Sequence, residues 1–329
     1  MRILTYLASS MTAIAALILA PTTATAQAWP TEPIRIIVPF SAGGPADVIG
    51  RAVGKALADG LGQPVIVENK TGAGGSIGMD AVAKAAPDGY TIGLGNTGSN
   101  SINPYVYAKM PFNPLKDLTP ISPVVTYTNV LLINPKVPAN SMSEFVAWAK
   151  ANPDKAFFGS GGSGASNHLS GELLKVLTGT PLQHVPYKGN APAMIDLISG
   201  NIAALFDITT TAIPQIRAGK VKALAVTSMK RSTHLPNVPT MKEAGVAGYE
   251  EAGSELWFGL FAPAGTPQAV IDKLNAATIK AIRSPELQEA IHGMAYEPWT
   301  LASTEFRAFL QSDFAKWGKV AKLANIKPE

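Results

Sequence analysis

Cysteine is absent from the 329 residues. That absence excludes disulfides, thiolate nucleophiles and cysteine-ligated zinc, and it leaves no site for an N-terminal lipid anchor. Charge is also scarce, at 15% against 47% hydrophobic residues. A chain of that composition has material for sizeable cores and lacks the character of a disordered one. The net charge of +4 is spread along the chain with no dense Lys/Arg block. The clustered basic surface that nucleic acid requires is therefore missing, and no nucleic-acid partner is expected. Beyond the N-terminus no stretch approaches ~18 consecutive apolar residues, so no membrane span is predicted in the mature chain. His168, His184, His234 and His292 share no metal-ligand spacing, and neither a metal nor a cofactor is expected.

The N-terminus stands apart. Arg2 is its only charge, Met11 to Ala20 form a short apolar run, and small residues follow at Ala24-Thr25-Ala26-Gln27-Ala28. This is the pattern of a cleavable secretory signal peptide over residues 1–28, with A-x-A sites ending at Ala26 and Ala28. The mature protein is expected to be exported and soluble.

The length suggests about two domains at ~100–200 residues each. Strand-like and helix-like patterns alternate, which implies α/β architecture with largely parallel sheets flanked by helices. One stretch dominates: Phe157-Phe158-Gly159-Ser160-Gly161-Gly162-Ser163-Gly164-Ala165-Ser166-Asn167-His168, a strand end and a Gly/Ser loop. Leu169, Leu173, Leu174 and Leu177 then open a helix. Free N–H groups and the positive end of the helix dipole meet at such a loop, and anions bind there without a formal cation. An earlier segment repeats the architecture: the strand Ile34 to Phe40, the loop Ser41-Ala42-Gly43-Gly44-Pro45-Ala46-Asp47, and a helix carrying Val48, Ala52, Val53, Ala56 and Leu57. Asp47 has two readings, a helix-start carboxylate paired with Arg51 and a ligand contact, of which the first is favoured. Another strand, Tyr90 to Gly95, ends at the polar loop Asn96-Thr97-Gly98-Ser99-Asn100, and Asp207 lies at the end of Ala203 to Asp207. In open α/β sheets these carboxyl ends are where ligands gather. Pro104 to Pro123 reads as an irregular connection, and Val124 to Asn134 as a longer strand-like run crossing between domains. Phe306, Leu310, Phe314 and Trp317 recur at helical spacing, a core stripe.

Two enzymatic readings are open to the same residues. Gly159 to Gly164 fits G-x-G-x-x-G, but a dinucleotide site wants an acid about 20 residues on, and Leu182-Gln183-His184-Val185 has none. Gly161-Gly162-Ser163-Gly164-Ala165 nearly forms a nucleophile elbow. Asp207 with His234 or His292 would complete the order of a periplasmic serine hydrolase using Ser163, although both histidines sit in surface-like contexts.

Several segments together resemble one family. Val38-Pro39-Phe40-x-x-Gly43-Gly44-x-x-Asp47, Glu68-Asn69-Lys70-x-Gly72-Ala73-Gly74-Gly75 and Pro87-Asp88-Gly89-Tyr90 are similar to the Bug family. So are His184-Val185-Pro186-Tyr187-Lys188-Gly189, Leu235-Pro236-x-Val238-Pro239-Thr240 and Ala262-Pro263-Ala264-Gly265-Thr266-Pro267, in the same order along nearly the whole mature chain. These are periplasmic solute-binding receptors of tripartite tricarboxylate transporters. The resemblance implies a two-lobed, flytrap-like periplasmic-binding fold and no catalysis. Residues 29–125 plus 253–329 would form the first lobe and residues 126–252 the second. It implies that two loops pinch a carboxylate through backbone N–H groups, hydroxyls and water. One wall would be Phe40, Ser41, Ala42, Gly43 and Gly44 and the facing wall Ser163, Gly164, Ala165 and Ser166, with Thr97 contributing from the third strand's loop, Asp207 at a similarly placed strand end, and Asp47 a further candidate contact. The implied partners are a small carboxylate ligand and membrane transporter subunits, with the receptor a monomer in the periplasm. Ala42 stands where many relatives have proline, so ligand identity does not carry over.

Overall fold

The first strand, β1 (Ile34–Val38), buries four of its five apolar-rich positions and leads through the first glycine loop into α1 (Pro45–Leu61). The computed structural model describes residues 29–249 and 256–328, so the expected signal peptide lies outside the described residues. Pro45 suits the start of α1 because its fixed φ is helical and a first-turn N–H has no helical partner. Ile49, Val53 and Leu57 give α1 its buried stripe. Gly50 lets it close on the sheet, since a Cβ there would lie 2.8 Å from Val38 Cγ2. The chain continues through β2 (Val65–Asn69), α2 (Ser76–Ala83) and β3 (Thr91–Asn96), then one wide turn over Gly98–Ile102 and α3 (Asn103–Val106).

The expected irregular connection before Pro123 is partly wrong. Its last residues belong to β4 (Leu118–Tyr127), a strand that contains Pro120 and Pro123. A proline lacks the N–H a ladder needs and is confined to edges and bulges. Both prolines sit at register shifts against β10 (Leu256–Pro263), pairing with Phe261 and Gly259. Among the described residues, β4 meets on its other side the two-residue β11 (Glu297–Pro298), opposite Thr126 and Val125. The expected long crossing run is two strands, broken at Thr128: β4 ends at Tyr127 in the first sheet and β5 (Asn129–Ile133) begins the second.

The second sheet is assembled from α4 (Met142–Ala151), β6 (Phe157–Ser160), α5 (Ser166–Thr178), β7 (Gln183–Pro186), α6 (Asn190–Ser199), β8 (Ala204–Ile208), α7 (Thr209–Arg217) and β9 (Lys222–Val226). After β10 come α8 (Gln268–Ile282), α9 (Pro285–Gly293) and α10 (Ser303–Leu323). The strand orders, β11-β4-β10-β3-β1-β2 and β7-β6-β8-β5-β9, are equivalent apart from β11. In each sheet three strands run parallel, and the strand entering from the other lobe pairs antiparallel with the third. The sheets are thus mixed, because a chain that crosses from one lobe to the other enters from the opposite end.

Each sheet has its own core. Trp257, Phe261, Phe306 and Leu310 fill the first, with Trp257 Nε1 donating to the buried Asp313 at 3.0 Å. Val130, Leu132, Leu197, Leu205 and Val226 belong to the second. The stripe expected on α10 packs as core at Phe306, Leu310 and Trp317, while the half-buried Phe314 packs on Tyr105 with ring centroids 4.9 Å apart.

Candidate functional site

Both glycine loops follow the carboxyl end of a strand and open a helix, one on each sheet. In the first loop Gly43 takes φ +77, a left-handed value that a Cβ disfavours. The buried Asp47 carboxylate accepts the Gly43 N–H (2.9 Å), the Arg51 Nε–H (3.0 Å) and the Asn69 Nδ2–H (2.9 Å). Asn69 Nδ2 also donates to the Phe40 carbonyl at 2.9 Å, so one amide ties the end of β2 to both ends of the loop. The Arg51 hydrogen bond, helped by those from Gly43 and Asn69 and opposed by burial, holds the Asp47 carboxyl down to about 2. Asp47 is therefore an internal clasp with its acceptors occupied.

The second loop is held differently. Gly161 N–H donates to Asn167 Oδ1 (3.2 Å), Gly162 N–H to Ser160 Oγ (3.1 Å) and Gly164 N–H to His168 Nδ1 (3.0 Å). His168 stacks on His184 with centroids 3.9 Å apart, and His184 Nε2 lies 2.6 Å from Ser160 Oγ. Burial is the first cause pushing His168 down to about 4 and His184 to about 3, with Lys175 and the neighbouring imidazole adding to it. Both rings are neutral near pH 7, and His168 accepts at Nδ1, which places its proton on Nε2.

These clasps decide which amides are left for a ligand. The N–H groups of Gly43, Gly44, Gly164 and Ala165 are engaged within the loops, with Gly44 bonded to Ser41 O and Ala165 to Gly162 O. Among the described residues, the amides of Ser41, Ala42, Ala46 and Asp47 on one side and Ser163, Ser166 and Asn167 on the other have no acceptor. The last two of each set are first-turn donors of α1 and α5, the positive ends of two helix dipoles. Neither loop contains Lys or Arg. Ser41, Ala42, Gly43 and Ser163 are exposed, and Ser166 is partly so.

The other expected site residues have structural duties. Phe40 is half-buried, its ring over Gly75, where a Cβ would come 3.1 Å from Phe40 Cζ. Thr97 is fully buried and its Oγ1 accepts the Trp257 N–H at 2.9 Å, joining β3 to β10. Asp207 is fully buried; it accepts from Asn190 Nδ2, Ile208 N–H (2.8 Å) and Thr211 Oγ1 (2.8 Å). Burial pushes Asp207 up to about 6, against those three donors. The lobes meet where Gly164 faces Val106: a Cβ on Gly164 would lie 2.6 Å from Val106 Cγ2. Beside that contact a cleft of about 650 Å³ is lined by Val106, Tyr107, Ser163, Gly164, His168 and Lys175, among others.

Ser163 has no imidazole partner among the described residues. His234 and His292 instead contact each other across the lobes, 4.4 Å between centroids. Sequence reasoning passes over the roles of Asn69, Asn167 and Asn190, which orient the loops, and weighs His168 only for metal-ligand spacing.

The neutral histidines make acid stability a test. Their folded pKa values lie below the ordinary 6.5, so from pH 6.5 down to about 4 the unfolded chain binds more protons and stability falls with pH. Asp207, raised to about 6, works in the opposite direction between 6 and 3.8, offsetting part of the loss. His168→Asn keeps an acceptor for Gly164 and removes one titration. Its melting temperature is expected to fall less steeply than the wild type's between pH 6.5 and 4.5. Parallel slopes would contradict the placement of a neutral His168.

Two mixed sheets joined by crossing strands, each with a glycine loop that opens a helix at a strand's carboxyl end, have the architecture of a solute-binding protein of the periplasmic-binding class. The profile of the tripartite tricarboxylate transporter family receptor, TctC, matches residues 49–326, and the chain belongs to this family. Its members are receptors rather than enzymes. The periplasmic binding protein BugD is 37% identical, with a TM-score of 0.80 over 92% of this chain and 100% of its own. Rpa4515 of R. palustris, solved with adipate, is 34% identical, with a TM-score of 0.83 over 92% and 100%. MatC (Rpa3494) from Rhodopseudomonas palustris, with bound malate, is 31% identical, with a TM-score of 0.77 over 89% and 100%.

Proposed function

We propose that the protein is exported by cleavage of residues 1–28, captures a small dicarboxylate in the periplasm as a monomer, and delivers it to the membrane subunits of a tripartite tricarboxylate transporter. Residues 29–125 plus 253–329 and residues 126–252 act as two lobes that close on the ligand, hinging where the chain crosses near Thr128. The observation that carries this reading is the pair of glycine loops, one on each sheet, each with uncommitted amides at a helix start and no cationic side chain. Ser41, Ala42, Ala46 and Asp47 donate from one side, and Ser163, Ser166 and Asn167 from the other, through backbone N–H groups. The Ser41, Ser163 and Ser166 hydroxyls add to them. Asp47 and Asp207 shape the loops and leave the carboxylate unopposed at close range. Adipate in Rpa4515 and malate in MatC support a dicarboxylate as the ligand class.

Hydrogen bonds to a charged group contribute about 1.5–3 kcal/mol each. Four of them, less the costs of association and ordering, suffice for a micromolar Kd, about −8 kcal/mol. A ligand at 100 times its Kd stabilises the folded state by about 2.7 kcal/mol. A thermal-shift screen of C4 to C6 dicarboxylates is therefore expected to raise the melting temperature by several degrees for at least one member. A flat response to every carboxylate would overturn the reading.

A further inference from the structure

We propose that Asn190 and Asn167 are positioning residues which relay the Asp207 carboxylate to the second glycine loop and set that loop in its ligand-ready shape. This rests on the carboxylate-binding reading and adds how the site is held before ligand arrives.

The direction of every hydrogen bond in the relay is fixed by chemistry. The Gly161 and His168 backbone N–H groups can only donate, and both meet Asn167 Oδ1, at 3.2 and 3.0 Å. Asn167 must then point Nδ2 away, and it donates to Asn190 Oδ1 at 2.9 Å. Asn190 in turn has only Nδ2 left, and that group donates to Asp207 Oδ1. An ionised carboxylate accepts and cannot donate. The charge therefore fixes both amide orientations, and the amides fix two backbone N–H groups of the loop and first turn of α5. Hydrogen bonds aligned head to tail in a low-dielectric interior polarise one another in the same direction.

The packing is built around this chain. A Cβ on Gly161 would fall 2.4 Å from Asn190 Oδ1, although Gly161 does not need a left-handed φ. The side chain is absent where the relay meets the loop. Two backbone bonds hold the segment before α6 against the loop: Tyr187 N–H to Ser160 O and Gly189 N–H to Gly161 O, both at 3.1 Å. They place Asn190, the first residue of α6, within reach. Asp207 has no solvent exposure of its own. Its charge reaches the second glycine loop through Asn190 and Asn167. The first loop has a parallel device, since Asn69 joins Asp47 Oδ1 to the Phe40 carbonyl.

The test measures adipate and malate affinity by titration calorimetry on the full mature chain, together with hydrogen exchange of the ligand-free loop. Asn190→Ala and Asn167→Ala are each expected to weaken Kd about tenfold to a hundredfold. The double variant should bind no worse than the weaker single one, because each cut breaks the same relay. Asp207→Asn, which keeps an acceptor for Asn190 and loses the charge, should bind better than Asp207→Ala. Gly161→Ala displaces Asn190 without removing a buried polar group, and it should reproduce the loss even if Asn190→Ala folds poorly. Effects of the two asparagine variants that multiply would mean independent ligand contacts and would overturn the relay, as would affinities within twofold of wild type. If wild type binds neither acid, the ligand reading fails by itself. The relay is then judged on exchange at Gly161 and His168, faster in Asn190→Ala if it exists and unchanged if it does not.

Discussion

Gly164→Val is expected to abolish ligand capture while leaving both sheets folded. Gly164 takes φ +79, where a β-branched residue is strained by about 1–2 kcal/mol. Its Cβ would also stand 2.6 Å from Val106 Cγ2 and 3.0 Å from Val106 Cβ, well inside contact distance. Val106 ends α3 in the first lobe, so the new side chain forces the loop away from the opposite lobe. Overpacking costs about 1–3 kcal/mol on its own. The displacement also breaks the Gly164 N–H bond to His168 Nδ1 and moves the Ser163 and Ser166 amides off any shared ligand atom. Calorimetric affinity should fall by more than about a hundredfold, equivalent to roughly 2.7 kcal/mol, with far-ultraviolet circular dichroism unchanged. Wild-type affinity in this variant would mean that the loop does not form one wall of the site.

Asp47→Ala should damage stability and binding together. The substitution leaves Gly43 N–H, Asn69 Nδ2 and the Arg51 guanidinium without their common acceptor. Hydrogen bonds to a charged group contribute about 1.5–3 kcal/mol, and here solvent reaches Arg51 and softens the loss. A net cost of about 2–3 kcal/mol follows, which for a chain of this size lowers the melting temperature by roughly 3–5 °C. The amides of Ala46 and Asp47 survive the change, but Gly43 loses the bond that fixes its φ. Affinity is expected to drop about tenfold to a hundredfold. In wild type the clasp should persist into acid. A carboxyl lowered from 3.8 to about 2 contributes stability above pH 3.8 that disappears as pH falls through 2. Asp47→Ala should lack that part of the acid transition. An unchanged melting temperature would show that the clasp is not holding the loop.

Much of this arrangement is legible in the sequence, and for a physical reason. A strand, a glycine-rich loop and a helix start are contiguous in the chain, so residues 34–57 and 157–177 announce themselves locally. The strand β4 was hidden because Pro120 and Pro123 argue against a ladder, and only the partner strand reveals that each falls at a bulge. The asparagines were hidden for a related reason. An amide side chain serves turns, caps and surfaces equally well, and its role depends on partners that only topology supplies. Asn69, on β2, reaches Asp47 22 positions away beyond the neighbouring β1, and Asn190, after β7, reaches Asp207 on β8 17 positions away, past the intervening β6. The glycines named as ligand contacts show the limit most clearly. They sit in the two loops expected to hold the ligand, yet the N–H groups of Gly43 and Gly164 belong to Asp47 and His168. The donors left over are on the residues beside them, and no spacing rule distinguishes the two sets. His234 and His292, read as surface-like, meet across the lobes because the return of the chain through β11 brings them together.

The proposed closure of two loops on a carboxylate makes the charge of that group the requirement for binding. Calorimetric titration of the mature protein with adipate or malate, each beside its dimethyl ester, puts this to the test. The acid that binds is expected to lose at least about a hundredfold in affinity on esterification, roughly 2.7 kcal/mol, because the amide donors then face a neutral carbonyl. Equal affinity for acid and ester, or binding of the ester alone, would contradict the carboxylate clamp.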